Sequence, residues 1–243
     1  MTGSSNQQDR DNEIQLINLF TAYLREEAVR LGNDFYDFAL GPQDVELGAD
    51  WLYHADSRFL LVEYKATRDG YRRESQKPRR EALCRLLARD PNFRSSHRKC
   101  HFIAWSTGDY LEANVYEDQV CNASVFPQTC PIPVKPKTAG LIEGTEFASQ
   151  ILAQHAALGL PLEEFERYAE WLMKDSSGAK DGSIQLLARN RTMPGFRTKR
   201  FDSVRELDNW LRQARPGVNS SKKPGDEPLE DPDSRTKGPG FRI

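Results

Sequence analysis

Asp50, Glu63 and Lys65 are the residues of this chain whose types and spacing could do chemistry. They sit at the ends of two strand-like runs, Ala49-Asp50-Trp51-Leu52-Tyr53 and Arg58-Phe59-Leu60-Leu61-Val62-Glu63-Tyr64-Lys65, which flank a turn. With the turn centred on Asp56-Ser57, antiparallel partners have residue numbers summing to 113, so Tyr53 faces Leu60 and Asp50 faces Glu63. Side chains alternate along a strand, which puts Glu63 and Lys65 on one face and Tyr64 on the other. Directly opposed Cβ atoms lie about 5 Å apart, where two unit charges repel by about 3 kcal/mol at an effective dielectric near 20. An aromatic and aliphatic hairpin is a poor place for that repulsion, and a divalent cation would remove it. Asp50 and Glu63, completed by the Tyr64 backbone carbonyl and waters, make the oxygen-rich set that Mg²⁺ or Mn²⁺ prefers, with positions left open for a substrate phosphate. The metal would polarise a scissile phosphate and lower the pKa of a bound water, while Lys65 orients that water or stabilises developing charge. That is machinery for hydrolysing a phosphodiester. The plainer alternative is an exposed hairpin with an Asp50 to Lys65 salt bridge.

The surrounding elements must hold these groups in place. Residues 1–11 read as disordered, and then Ile14, Ile17, Phe20, Leu24, Ala28 and Leu31 form a helical stripe stopped by Gly32. Short aromatic and apolar runs from Phe35 to Ala66 read as strands, followed by a helix over about 75–89, a buried strand His101 to Trp105 and a further alternating strand over Leu111 to Val120. Beyond Pro131 the chain reads as mainly helical, with helices over 146–158 and 161–174, a strand over 184–188, and a last helix opened by the capping-box pair Ser203 and Glu206. The expected organisation is a core over 12–130, a mainly helical region packed on it over 131–215, and a disordered tail over 216–243. The expected class is α/β, with a mixed central sheet flanked by helices.

In its residues and their order this chain resembles the PD-(D/E)XK nuclease superfamily. Asp50, twelve intervening residues and Glu63-Tyr64-Lys65 at the end of an apolar strand match the Asp…(Asp/Glu)-x-Lys signature, with Ala rather than Pro before the Asp. The likeness covers roughly residues 12–120. It implies a restriction-endonuclease-like core and a metal-dependent nuclease, with Asp50 and Glu63 as ligands and Lys65 as the catalytic lysine. The family often adds an acidic residue from the first helix, for which Glu13 is preferred to Glu27. Gln76 and Lys77 fall where related nucleases place helix residues that support the site. The resemblance also implies a DNA endonuclease in restriction or anti-phage defence, with a repair or recombination nuclease as the alternative within the class. From another class, a catalytically silent nuclease-like subunit of a defence complex is the rival.

Arg68, Arg72, Arg73, Lys77, Arg79 and Arg80 follow Lys65 directly and are the expected phosphate-binding surface, against the alternative of a solvated helix face. Arg94, His97, Arg98 and Lys99, and then Arg189, Arg191, Arg197, Lys199 and Arg200, would extend it. Cutting both strands of a duplex needs two sites, so a homodimer or a regulating protein partner is expected. With 34 basic against 36 acidic residues the chain is no wholly basic DNA-coating protein. No run approaches the roughly 18 apolar residues of a membrane helix, and the polar start reads as cytoplasmic rather than as a signal peptide. Cys84, Cys100, Cys121 and Cys130 are accordingly expected to be mostly reduced and buried. His97 and Cys100 stand at zinc-ligand spacing, but Cys121 and Cys130 lack the short spacing that would complete such a site.

Overall fold

The hairpin that carries Asp50 and Glu63 organises the sheet. In the computed structural model, which describes residues 3–41, 47–127, 140–153, 158–176, 186–189 and 198–213, strands β2 (Trp51–Ala55) and β3 (Arg58–Lys65) are antiparallel. Asp56 and Ser57 join them with φ of 44° and 67°, the left-handed pair that a two-residue turn needs to match the strand twist. Trp51 pairs with Val62 and Tyr53 with Leu60, the register that the turn predicts. β1 (Phe35–Ala39) adds antiparallel to β2, and β4 (His101–Ser106) lies parallel to β3. β5 (Leu111–Val115) and β6 (Ile142–Glu143) continue the sheet antiparallel. β7 (Leu160–Pro161) also pairs with β3, against Arg58 and Phe59. The result is an α/β protein with a mixed central sheet.

Alternation along β2 and β3 divides the core in two. Tyr53, Leu60, Val62 and Tyr64 pack beneath α1 (Gly3–Leu31) and α5 (Gly144–Leu152). Leu52, Phe59 and Leu61 face the opposite layer, built from α2 (Pro78–Arg89), α3 (Pro91–Cys100), α6 (Leu162–Trp171) and α7 (Val204–Gln213). On that second face the apolar positions of β3 give way at its end to Glu63 and Lys65. The parallel β3–β4 connection requires a crossover, supplied by a 3₁₀ segment (Arg68–Gln76), α2 and α3. α7 carries the expected cap: Ser203 Oγ accepts from Glu206 N at 3.1 Å, and Glu206 accepts from Asp202 N at 3.1 Å. Trp171 and Trp210 are core residues.

Several expectations need correction. Residues 3–11 are helical, because α1 starts at Gly3; Gln7 donates to Asp11 one turn on, and Asp9 pairs with Arg73 at 2.9 Å. The strand expected over 111–120 ends at Val115, and Tyr116–Val120 is a short helix, α4. α3 was not expected, since its sequence carries no apolar stripe. It is held instead by its cap, with Asp90 Oδ1 accepting from Asn92 N and Phe93 N and with Pro91 in the first turn. The strand expected over 184–188 is β8 (Leu186–Arg189), paired with β9 (Thr198–Phe201). The 216–243 tail and Cys130 lie outside the described residues. No described helix is long and apolar enough to cross a membrane.

Cys84 and Cys121 are joined by a disulfide, contrary to the expectation of reduced thiols, while Cys100 is free and buried. The 37-residue separation hides the pair in the sequence, whereas the fold sets the two Cα atoms 5.2 Å apart. A bridged pair runs against the expectation of a cytoplasmic protein, since disulfides are rare in reducing compartments. His97 hydrogen-bonds Tyr168 and Cys121 is bonded to Cys84, so the zinc constellation is not assembled.

Candidate active site

Asp50 is held by backbone on both sides. Its N–H donates to Val62 O, and its carbonyl accepts from Leu40 N, each at 3.0 Å. Where the β2–β3 ladder stops, its carboxylate Oδ2 takes the next donor, Tyr64 N, at 2.6 Å. Gly48, two residues earlier, has φ +75°, and a Cβ there would stand 2.5 Å from Arg80 Nη1. The approach to Asp50 therefore requires glycine.

The Tyr64 side chain points to the α1 face, where Thr21, Tyr53 and Tyr64 hydroxyls form a buried chain at 2.9 and 2.7 Å. Glu63 and Lys65 point the other way, both buried. With Asp50 they line a cavity of about 540 Å³ that is also bordered by Arg10 and Glu13 of α1 and by Arg73, Glu74, Gln76 and Lys77 of the crossover. The sequence-predicted site residues Asp50, Glu63, Lys65 and Glu13 thus share one pocket. Glu13 Oε1 accepts from Ala66 N at 3.2 Å and lies 3.3 Å from Arg73, so it closes the rim from the opposite layer.

Glu74, which stands within the basic run between Arg73 and Lys77, has no role predicted from the sequence. It is fully buried at the centre of the site's ionic network. Lys65 and Lys77 lie 3.0 and 2.9 Å from Glu74 Oε1, and both also contact Glu63 Oε1, Lys77 at 2.7 Å. Glu74 Oε2 takes Arg80 Nε at 3.1 Å and the Tyr116 hydroxyl at 2.6 Å. Burial alone would raise the Glu74 carboxyl; Lys65, Lys77, Arg80 and the Tyr116 hydrogen bond outweigh it and hold it well below the usual carboxylate range. Burial likewise opposes the Lys65 charge, but Glu63, Glu74 and Asp50 overcome it and keep the ammonium protonated. Asp50 behaves in the opposite way. Burial first, and then the Glu63 charge, push it from an ordinary 3.8 up to about 7 despite Lys65, the Tyr64 N–H and Lys77.

The donor set fits a hard divalent cation. Glu63 Oε2 is buried and has no hydrogen-bond partner among the described residues, a costly state that a cation would relieve. No three His, Cys, Asp or Glu side chains are grouped as a ready-made cage among the described residues. Mg²⁺ does not demand one, since it keeps several waters and binds through one or two carboxylates plus substrate phosphate.

The expected basic surface is divided. Arg72 is exposed, with Asp69 3.6 Å away, and Arg68 stacks 5.9 Å over Trp105. Arg73 and Lys77 border the pocket, and Arg79 is half-buried. Arg80 is a correction: it is fully buried against Glu74 and presents nothing to a substrate. Arg94 and Arg98 pair with Glu117 and Asp118, so they extend no free basic face. Arg200 is exposed beside Asp202, and Arg191 and Arg197 lie outside the described residues. Trp105 is core, its Nε1 donating to Glu112 at 3.0 Å, and Tyr71 is buried too.

His101 lies in the expected buried strand, whereas His97 is buried rather than part of a basic surface. His54 is buried between Tyr36 and Phe59. His97 and His101 are buried and share the Tyr168 hydroxyl at 2.7 and 2.8 Å. His101 Nε2 is 2.8 Å from Gly48 O, which can only accept. His101 therefore carries its proton on Nε2 and accepts from Tyr168, which in turn accepts from His97 Nδ1. Burial keeps both rings neutral, His101 down to about 3. This chain ties α6 to the loop that presents Asp50.

Comparison with known protein families, with curated proteins and with solved structures gives no match.

Proposed function

We propose that this protein is a metal-dependent nuclease with a restriction-endonuclease-like core of the PD-(D/E)XK type, and that it cuts DNA internally. The observation that carries the reading is the meeting of Asp50, Glu63 and Lys65 in one polar pocket, with one buried Glu63 oxygen left without a partner. Asp50, Glu63 and the Tyr64 carbonyl would hold Mg²⁺ or Mn²⁺, with Glu13 the nearest further carboxylate. The cation would supply the positive charge that polarises a phosphodiester and acidifies water. The chain's own residues do the rest. Lys65, ion-paired to the buried Glu74 at 3.0 Å, keeps a proton donor at the pocket as charge develops. Lys77, Arg73 and Arg10 line the pocket with positive charge for the phosphate. The setting in restriction or anti-phage defence, and a homodimer or protein partner to supply a second site, rest on the resemblance alone.

The test is incubation of wild type and Glu63→Ala with supercoiled plasmid, linear duplex, single-stranded DNA and RNA, each with Mg²⁺, Mn²⁺ or EDTA. Cleavage is expected from wild type only, and only with metal. A wild type that cuts no substrate with either metal would replace this reading with the silent binding subunit.

A further inference from the structure

Two carboxylates, Glu63 and Glu74, share the same two lysines, yet they are held in opposite ways. Glu74 Oε2 is clamped by hydrogen bonds from Arg80 and Tyr116, while its Oε1 lies 3.0 and 2.9 Å from the two ammonium groups as an ion-pair partner that takes no hydrogen bond from them. Glu63 meets the same ammonium groups through Oε1 only, and its Oε2 is buried without a partner. The formal charges of Asp50, Glu63 and Glu74 are matched by those of Lys65, Lys77 and Arg80. A cation entering this balanced set must take Glu63 from the lysines, and the lysines need somewhere to stay.

We propose that Glu74 is a positioning residue: the fixed anchor that retains Lys65 and Lys77 at the pocket when Glu63 turns from them to a divalent cation. The inference rests on the proposed metal site and deepens it. Without the Glu74 charge, both lysines have Glu63 as their nearest carboxylate, and a cation would have to expel two ammonium ions from the ligand it needs. With Glu74 in place the exchange leaves the ammonium groups ion-paired, and the loaded pocket gains a net positive charge that an anionic phosphate backbone can meet. Glu74 touches no substrate in this account and acts through the lysines.

The experiment is calorimetric titration of Mn²⁺ into wild type, Glu74→Gln and Tyr116→Phe, with circular dichroism to verify the fold. Glu74→Gln should bind Mn²⁺ at least tenfold more weakly. Tyr116→Phe changes no charge at neutral pH and only releases one clamp on Glu74, so it should weaken binding severalfold. That second variant separates positioning from simple attraction by a nearby negative charge, and it decides the matter if Glu74→Gln does not fold. Tyr116→Phe binding Mn²⁺ as tightly as wild type would overturn the proposal while leaving the metal site standing. A wild type that binds no Mn²⁺ would overturn the metal site and this inference together.

Discussion

Asp50→Asn should make the metal-free protein more stable at neutral pH while removing its response to divalent cations. The native carboxyl is raised to about 7 from 3.8, so between those values the folded state binds more protons than the unfolded one. By linkage, wild-type stability from this group falls as pH rises from about 4 to 7, and above 7 the ionised carboxylate is a full penalty on the fold. A three-unit shift would correspond to about 4 kcal/mol, but Asp50 is only half-buried at the pocket wall, and solvent screening reduces this to roughly 1–3 kcal/mol. Asparagine keeps the acceptor for Tyr64 N and removes the charge. In EDTA at pH 8 its Tm should exceed that of wild type by about 2–10 °C, and the advantage should vanish near pH 4. Excess Mn²⁺ should reverse the order, because it stabilises only the protein that keeps both carboxylates. An asparagine variant less stable than wild type in EDTA at pH 8 would show that Asp50 supports the fold.

Lys65→Met should cost both activity and stability. The Lys65 ammonium is buried between Glu63 and Glu74. Taking it away leaves two buried carboxylates with too little positive charge. Breaking a buried pair in this way costs about 3–5 kcal/mol, or roughly 10 °C in Tm for a chain of this size. Cleavage should fall by at least about 100-fold, the scale for losing a preorganised donor. Mg²⁺ should recover more Tm in the variant than in wild type, because the ion supplies part of the missing charge. Lost cleavage with an unchanged Tm would mean that Lys65 is a solvated catalytic group. A reduced Tm with unimpaired cleavage would mean that it is structural only.

These two cases show what the sequence could and could not reveal. The Asp50 and Glu63 juxtaposition was legible because a hairpin register is fixed by its turn and by a side-chain period of two, both local properties. Asp56 and Ser57 carry no glycine, yet they adopt the turn conformation and preserve the register. Glu74 was not legible. Its burial depends on a 3₁₀ segment turning it inward and on Arg80 and Tyr116 arriving from α2 and α4. Tyr116 itself was hidden, because Leu111, Ala113 and Val115 continue an alternation that the chain abandons at that residue. The Cys84–Cys121 bridge and the His97–Tyr168–His101 chain likewise join residues far apart in sequence. For α3 a signal was present, in the Asp90-Pro91 start, but it lay in the cap rather than in an apolar stripe.

The measurement that tests the central claim most directly is anomalous scattering from crystals of wild type soaked in Mn²⁺. One strong peak is expected against the carboxylates of Asp50 and Glu63, and none there in Asp50→Asn. An empty pocket at saturating Mn²⁺, with Lys65 and Lys77 still seated on Glu63, would contradict it.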